Sequence, residues 1–227
     1  MLVMTVQVIV FDVNETVSDL GGMADRFEEV GASRALAATW FASVLRDGFA
    51  LSSVGDPHPF AAIAESVLRS VLTDASSTVP VDEAVPRIMR GFTSLSVHPD
   101  IPDGVRGLAG AGHRLVTLSN GSASVAEKLL GDAGLRDHFE ALLSVEDAPA
   151  WKPDPRAYEL AVSRCGVDAA DCMLVAVHPW DIDGAHRAGM ATAWVNRTGV
   201  PYPSVFHTPD VTVTALTELP EALASRR

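Results

Sequence analysis

Only two cysteines, Cys165 and Cys172, occur in the 227 residues, and no metal-ligand spacing surrounds either. A disulfide scaffold is therefore not expected, and both residues read as reduced core thiols. Long apolar runs are also missing, since no stretch reaches the roughly 18 residues of a membrane span. Basic charge is scarce. Seventeen Lys and Arg face 29 Asp and Glu, a net charge of -12 with a pI near 4.9. Such a field repels polyanions, which argues against nucleic acid and membrane surfaces as partners. Residues 1–10 carry neither a basic leader region nor a small-residue cleavage site, so a cytoplasmic location is expected. Internal repeats and long low-complexity runs are absent as well.

What is present is ample apolar material, 48% of the chain, enough for a full core. The β-branched run from Val6 to Phe11 reads as a buried strand and stops at Asp12. Residues 17–100 then carry helical periodicity. One helix is marked by Asp56 and Pro57 at its start and by Phe60, Ile63, Ala64, Val67, Leu68, Val71 and Leu72 along one face. A second runs through Leu36, Trp40 and Val44, and a third through Val85, Ile88, Met89 and Phe92. From residue 101 short apolar runs alternate with helices. Strands are expected at 114–118, 141–145, 173–177, 191–195 and 211–213, and one intervening helix opens at Asp154-Pro155 and stops at Gly166.

Strand–helix alternation implies an α/β fold with a doubly wound, mostly parallel, Rossmann-like sheet, here carrying a helical insert. The expected division is a core of 1–16 and 101–227 with a helical subdomain at 17–100. In a parallel sheet the strand ends share one edge, so Asp12, Ser119-Asn120 and His178-Pro179-Trp180-Asp181 should converge there. Ser119 and Asn120, with backbone N–H groups at a helix start, could cradle an anion or simply cap the helix. Lys152, beside Pro153, suits a cation that must hold one position, or a solvated surface lysine. Asp12 alone is equally a nucleophile or a turn residue.

Four stretches in order, ending or opening at Asp12, Ser119, Lys152 and Asp181, together resemble the haloacid dehalogenase-like hydrolase superfamily. The runs Leu118-Ser119-Asn120-Gly121-Ser122, Lys152-Pro153-Asp154-Pro155-Arg156-Ala157-Tyr158 and Trp180-Asp181 are most similar to its L-2-haloacid dehalogenase branch. The resemblance implies a hydrolase in which Asp12 attacks a small, anionic substrate and forms an ester that water then cleaves. It implies that Lys152 keeps Asp12 ionised, that Thr16 orients the nucleophile loop, and that Asp181 serves the hydrolytic half-reaction. Ser119 and Asn120 would hold the substrate's anionic group, and Asn14, Tyr158 and Trp180 would line the pocket. The insert would be the family's helical cap, contributing Trp40 and Phe41. No cofactor is implied for this branch, and a homodimer is left open.

Departures from the pattern keep two other readings in view. Phosphatases of the superfamily use a second Asp where this chain has Asn14, which has no titratable proton, and they require Mg²⁺. In the dehalogenases that position is usually Tyr, the next is Gly where this chain has Glu15, and a substrate-binding Arg falls on Phe41. Arg34, about 10 Å away along the same helical face, can replace it only if the helix is shifted. The family's Ser and Asn in the fourth motif are Ala176 and His178, and His178 is a candidate general base for the water. Beside the dehalogenase stand a Mg-dependent phosphatase and a non-catalytic binding protein on the same fold.

Overall fold

The computed structural model describes residues 6–75 and 77–225. Positions 1–5, 226 and 227, assigned above to the core, and Ser76 of a polar loop lie outside the described residues. In chain order the elements are β1 (Val8–Phe11), α1 (Met23–Glu28), α2 (Leu36–Ser53), α3 (Phe60–Asp74), α4 (Val81–Phe92) and α5 (Ile101–Gly110). They continue with β2 (Arg114–Ser119), α6 (Ala123–Asp132), β3 (Phe139–Ser144), α7 (Pro155–Cys165), β4 (Cys172–Ala176), α8 (Pro179–Arg187), β5 (Ala191–Val195), β6 (Val211–Val213) and α9 (Leu219–Ala224). Among the described residues no helix is long and apolar enough to cross a membrane.

The six strands lie in the order β3-β2-β1-β4-β5-β6, and every pairing is parallel. β1 is central because all four of its side chains are apolar and none reaches solvent. Ile9 and Phe11 join Met173, Val175 and Ala193 in one cluster with α5, α6 and α9. Val8 and Val10 point the opposite way, as alternate strand residues must. After β3 the chain returns to the other side of β1, so β1 and β4 flank the point where strand order reverses. A doubly wound sheet binds ligands in the crevice at that point.

α7 and α8 carry the parts of the site that lie beside the sheet. α7 begins where expected, with the Asp154 side chain accepting the N–H of Arg156, and ends at Gly166, whose φ of 66° suits a residue without a Cβ. At Gly184 the constraint is steric. A Cβ there would lie 2.4 Å from Tyr158 Oη and 2.7 Å from Pro153 Cβ, so glycine is what lets the two helices approach.

The chain forms two compact units, one from residues up to 18 together with those from 97 onward, the other from 19 to 96. The second consists of α1 to α4. Its interior is aromatic: Trp40 packs against Phe27, Phe41 and Phe92, and Phe60 stacks on Phe92. α3 starts at Phe60 and not at Pro57. Pro59 disfavours helical backbone at the residue before it and itself sits at ψ 140°, so the helix waits for the second proline.

Candidate active site

Asp12 follows β1 directly, and its N–H bonds the carbonyl of Val175 on β4, which fixes the backbone at the sheet edge. Its side chain is 5% exposed. Oδ1 accepts a hydrogen bond from the ammonium of Lys152 at 2.9 Å. Oδ2 accepts the hydroxyl of Thr16 at 2.6 Å and lies 3.2 Å from His178 Nδ1. Thr16 Oγ1 in turn accepts the N–H of Val177 at 3.1 Å, so the loop after β1 is tied to the end of β4.

Lys152 is fully buried and shared between two carboxylates, its Nζ being 2.7 Å from Asp181 Oδ2 as well. Burial opposes its charge, but Asp12 and Asp181 outweigh that and hold its pKa above the ordinary lysine value. Burial would also raise the Asp12 carboxyl, yet Lys152, then His178 and Thr16, keep it well below the usual carboxylate range. Asp181 goes the other way. Fully buried and close to the charge of Asp12, its pKa is raised despite Lys152. Asp12 is thus the carboxylate of the pair that stays ionised most firmly, as a nucleophile must.

Three expected pocket residues turn out to support others. Asn120 is buried and grips the backbone of Lys152, its Oδ1 accepting the Lys152 N–H at 2.9 Å and its Nδ2 donating to the Lys152 carbonyl at 3.3 Å. Its amide therefore positions the cation and is not displayed to an anion. Tyr158 has no exposed surface and donates to Asp181 Oδ1 at 2.6 Å, so it stands behind Asp181 and lines no pocket. Burial, then the neighbouring Asp181, push its phenol well above the ordinary value. Trp40 belongs to the interior of the helical unit, with its indole N–H donating to the Ala64 carbonyl at 3.0 Å. These are corrections with one cause: a polar group near a site still has to satisfy its hydrogen bonds, and the nearest partner was protein.

Ser119 Oγ accepts the N–H of Gly121 at 2.9 Å. A side chain built on Gly121 would meet Ser119 Oγ at 3.4 Å and Asn14 Nδ2 at 3.7 Å, so a hydroxyl and an amide flank a glycine that leaves room between them. Trp180 stacks on the His178 ring with centroids 5.0 Å apart. Phe41 is buried within the aromatic cluster of its own unit, against Trp40 and Phe60. Arg34 lies before α2 and not on it, and it is exposed and paired with Asp25 and Glu28.

Known proteins resemble this chain along most of its length. The model of the haloacid dehalogenase-like hydrolase family matches residues 6–189. An (S)-2-haloacid dehalogenase of Pseudomonas sp. strain YL is 33% identical over 211 residues, 92% of this chain and 90% of its own. Haloacetate dehalogenase H-2 of Moraxella sp. strain B is 28% identical, over 96% of this chain and 98% of its own. The chain belongs to the haloacid dehalogenase-like hydrolase family. A solved dehalogenase with an intermediate complex superimposes on this member with a TM-score of 0.91 at 29% identity, covering 98% of this chain and 99% of that one.

In this haloacid dehalogenase-like hydrolase, Arg197 and His98 hold the backbone of the loop that follows Asp12, and no sequence motif marks either. Arg197, two residues beyond β5, donates to the carbonyl of Thr16 at 3.0 Å while its Nε pairs with Asp100 at 3.1 Å. His98 Nε2 lies 3.0 Å from the carbonyl of Glu15. The signal for Arg197 was its position: like Asp12 and His178, it follows a buried parallel strand at the edge where the site lies.

Proposed function

We propose that the protein is a hydrolytic dehalogenase of small 2-haloacids that works through an ester on Asp12. The observation that carries the reading is the ammonium of Lys152 held between Asp12 and Asp181, which keeps one buried carboxylate ionised without protonating it. The names of the similar proteins supply the substrate class. In the first half-reaction an Asp12 oxygen attacks C2 of the haloacid as the carbon–halogen bond breaks and halide leaves. In the second, water cleaves the ester at the Asp12 carbonyl carbon and releases the 2-hydroxy acid. Ser119 and Asn14 are read as donors to the substrate carboxylate, Trp180 as a pocket wall, and Thr16 as the group that aims the Asp12 oxygen. The helical unit is read as the cap.

A Mg²⁺-dependent phosphatase fits these residues poorly. The two carboxylates that would bridge the ion instead share Lys152, and Asp183 is engaged with Arg187 and His207. Asn14 has no proton to give a leaving alcohol. The reading is therefore of a cytoplasmic, metal-independent enzyme acting on a small molecule. The test is halide release from (S)- and (R)-2-chloropropionate and from chloroacetate, alongside phosphate release from p-nitrophenyl phosphate with and without Mg²⁺. Halide release from a haloacid is the expected result, and phosphate release alone would overturn it.

A further inference from the structure

Two positions at which this chain departs from the dehalogenase pattern touch one another. Glu15 stands in place of Gly and His178 in place of Asn, and His178 Nε2 lies 2.8 Å from Glu15 Oε2 while its Nδ1 lies 3.2 Å from Asp12 Oδ2. Glu15 is held at φ 62°, the one non-glycine residue at positive φ among the described residues. Glycine adopts that backbone freely and a residue with a Cβ does not, so the carboxylate is kept here against a local preference. The carbonyl of Glu15 is fixed from behind by His98 Nε2 at 3.0 Å and Arg197 Nη1 at 3.4 Å. On the far side of the imidazole, the Trp180 ring completes a rigid seat.

We propose that His178 and Glu15 form a base-and-orienter pair for hydrolysis of the Asp12 ester, with His178 Nδ1 taking the proton of the attacking water and Glu15 holding Nε2–H. The inference rests on the ester reading above and goes beyond it in naming the pair. The geometry is that of a base oriented by a carboxylate: one ring nitrogen committed to Glu15, the other aimed at the carboxyl that becomes the ester.

The resting enzyme holds this base in reserve. Burial disfavours an imidazolium, but hydrogen bonds to Asp12 and Glu15 outweigh that and push the His178 pKa up to about 9. The charged groups around it are Asp12 and Glu15 in contact, Lys152 and Asp181 beyond Asp12, and Arg197 and His98 behind Glu15. Alkylation turns Asp12 from an anion into a neutral ester, so one of the two contacts that hold the proton disappears. The Nδ1 proton leaves to solvent, and Nε2–H remains on Glu15. Water then adds to the Asp12 carbonyl carbon and passes a proton to Nδ1. As the tetrahedral species collapses, the bond from that carbon to the substrate oxygen breaks, and Nδ1 returns the proton to that oxygen. The carboxyl proton of Asp12 passes back to His178, restoring imidazolium and carboxylate. Haloacid and water become hydroxy acid, halide and one proton.

The test is rapid-quench kinetics with 2-chloropropionate on His178→Asn, His178→Gln and Glu15→Gly, with mass analysis of the Asp12 peptide. Either His178 variant should release about one halide per site as fast as wild type, hold the ester on Asp12, and turn over about 10²- to 10⁴-fold more slowly. Glu15→Gly removes the carboxylate while relaxing the backbone. It should melt no lower than wild type, accumulate the ester to a lesser degree, and shift the basic group in the pH profile of ester breakdown to lower pH. A Glu15 that only shapes the loop would leave that profile in place. A wild type that turns over, with His178 variants that hold no ester or that slow the halide burst itself, overturns the pair alone. A wild type that releases no halide from any haloacid removes the ester reading and the pair together.

Discussion

The side-chain amide of Asn120 closes on both backbone polar groups of Lys152, accepting its N–H at 2.9 Å and donating to its carbonyl at 3.3 Å. A residue at the end of β2 thereby sets where a cation 32 positions later can reach. Asn120→Ala would leave two buried backbone groups without partners, a cost of about 1–3 kcal/mol. It would also let Lys152 drift from Asp12, and a displacement of about 1 Å can cost about 10²-fold in rate. Denaturant melts and halide-release kinetics should show both losses. An unchanged kcat would mean that Lys152 is positioned by other contacts.

Asp12→Asn should abolish halide release, by about 10⁴-fold or more, because a neutral amide cannot act as the nucleophile. The fold should survive. Lys152 keeps Asp181 as a partner, and the amide is nearly isosteric with the carboxylate it replaces. Circular dichroism with a turnover assay checks both halves, and measurable turnover would remove Asp12 from its role.

Gly184→Ala should lower stability by about 1–3 kcal/mol, since an added methyl in a packed contact forces backbone or side-chain shifts. The methyl would fall 2.4 Å from Tyr158 Oη, so the hydroxyl must move off Asp181. Loss of that donor leaves the Asp181 carboxylate less stabilised and easier to protonate, and should reduce kcat along with the melting temperature. A variant that is destabilised but fully active would show that the Tyr158 hydrogen bond does not matter for turnover.

How far this site could be read in one dimension depends on what kind of fact is asked for. Strand ends are legible. Val8 to Phe11 is apolar because β1 is buried on both faces, so the first carboxylate after it had to lie at the sheet edge, and the same logic located Ser119 and Asp181. Helix ends are legible where the chemistry is local, as at Asp154, where α7 starts, and Gly166, where it stops. Side-chain direction is not. Asn120, Tyr158 and Trp40 are each turned to a partner 32, 23 or 24 positions away that no local pattern announces. The Arg197–Asp100 pair spans 97 positions, and the His178–Glu15 contact spans 163. The second is a consequence of strand order, which sets β1 beside β4, whereas the first joins the residue before α5 to the loop after β5.

His178 should make stability fall on the alkaline side. Its folded pKa of about 9 lies above the ordinary 6.5, so its contribution is fully present below about pH 6.5 and is lost as pH rises through 9. Wild type should therefore exceed His178→Gln in melting temperature at neutral pH, and the gap should close between pH 7 and 10. A gap that stays constant over that range would mean that the two anions do not hold the proton on His178.

Chelation should leave turnover unchanged. Mg²⁺ requires near-octahedral oxygen ligation, and the two carboxylates best placed to provide it are Asp12 and Asp181. Their facing oxygens already share the ammonium of Lys152, at 2.9 and 2.7 Å. A divalent ion entering there would have to displace a buried cation that has no exposed surface and, among the described residues, pairs with these two carboxylates alone, at a cost set by stranding that charge. Asp183, the next carboxylate along α8, is held by Arg187 and His207 and would have to break both contacts to turn inward. The positive charge that keeps Asp12 ionised is therefore already part of the chain. Halide release measured before and after exhaustive dialysis against chelator should coincide, and millimolar Mg²⁺ should not raise the melting temperature. A loss of turnover restored by Mg²⁺ would show that Lys152 yields the site to a metal, and would return the phosphatase reading to first place.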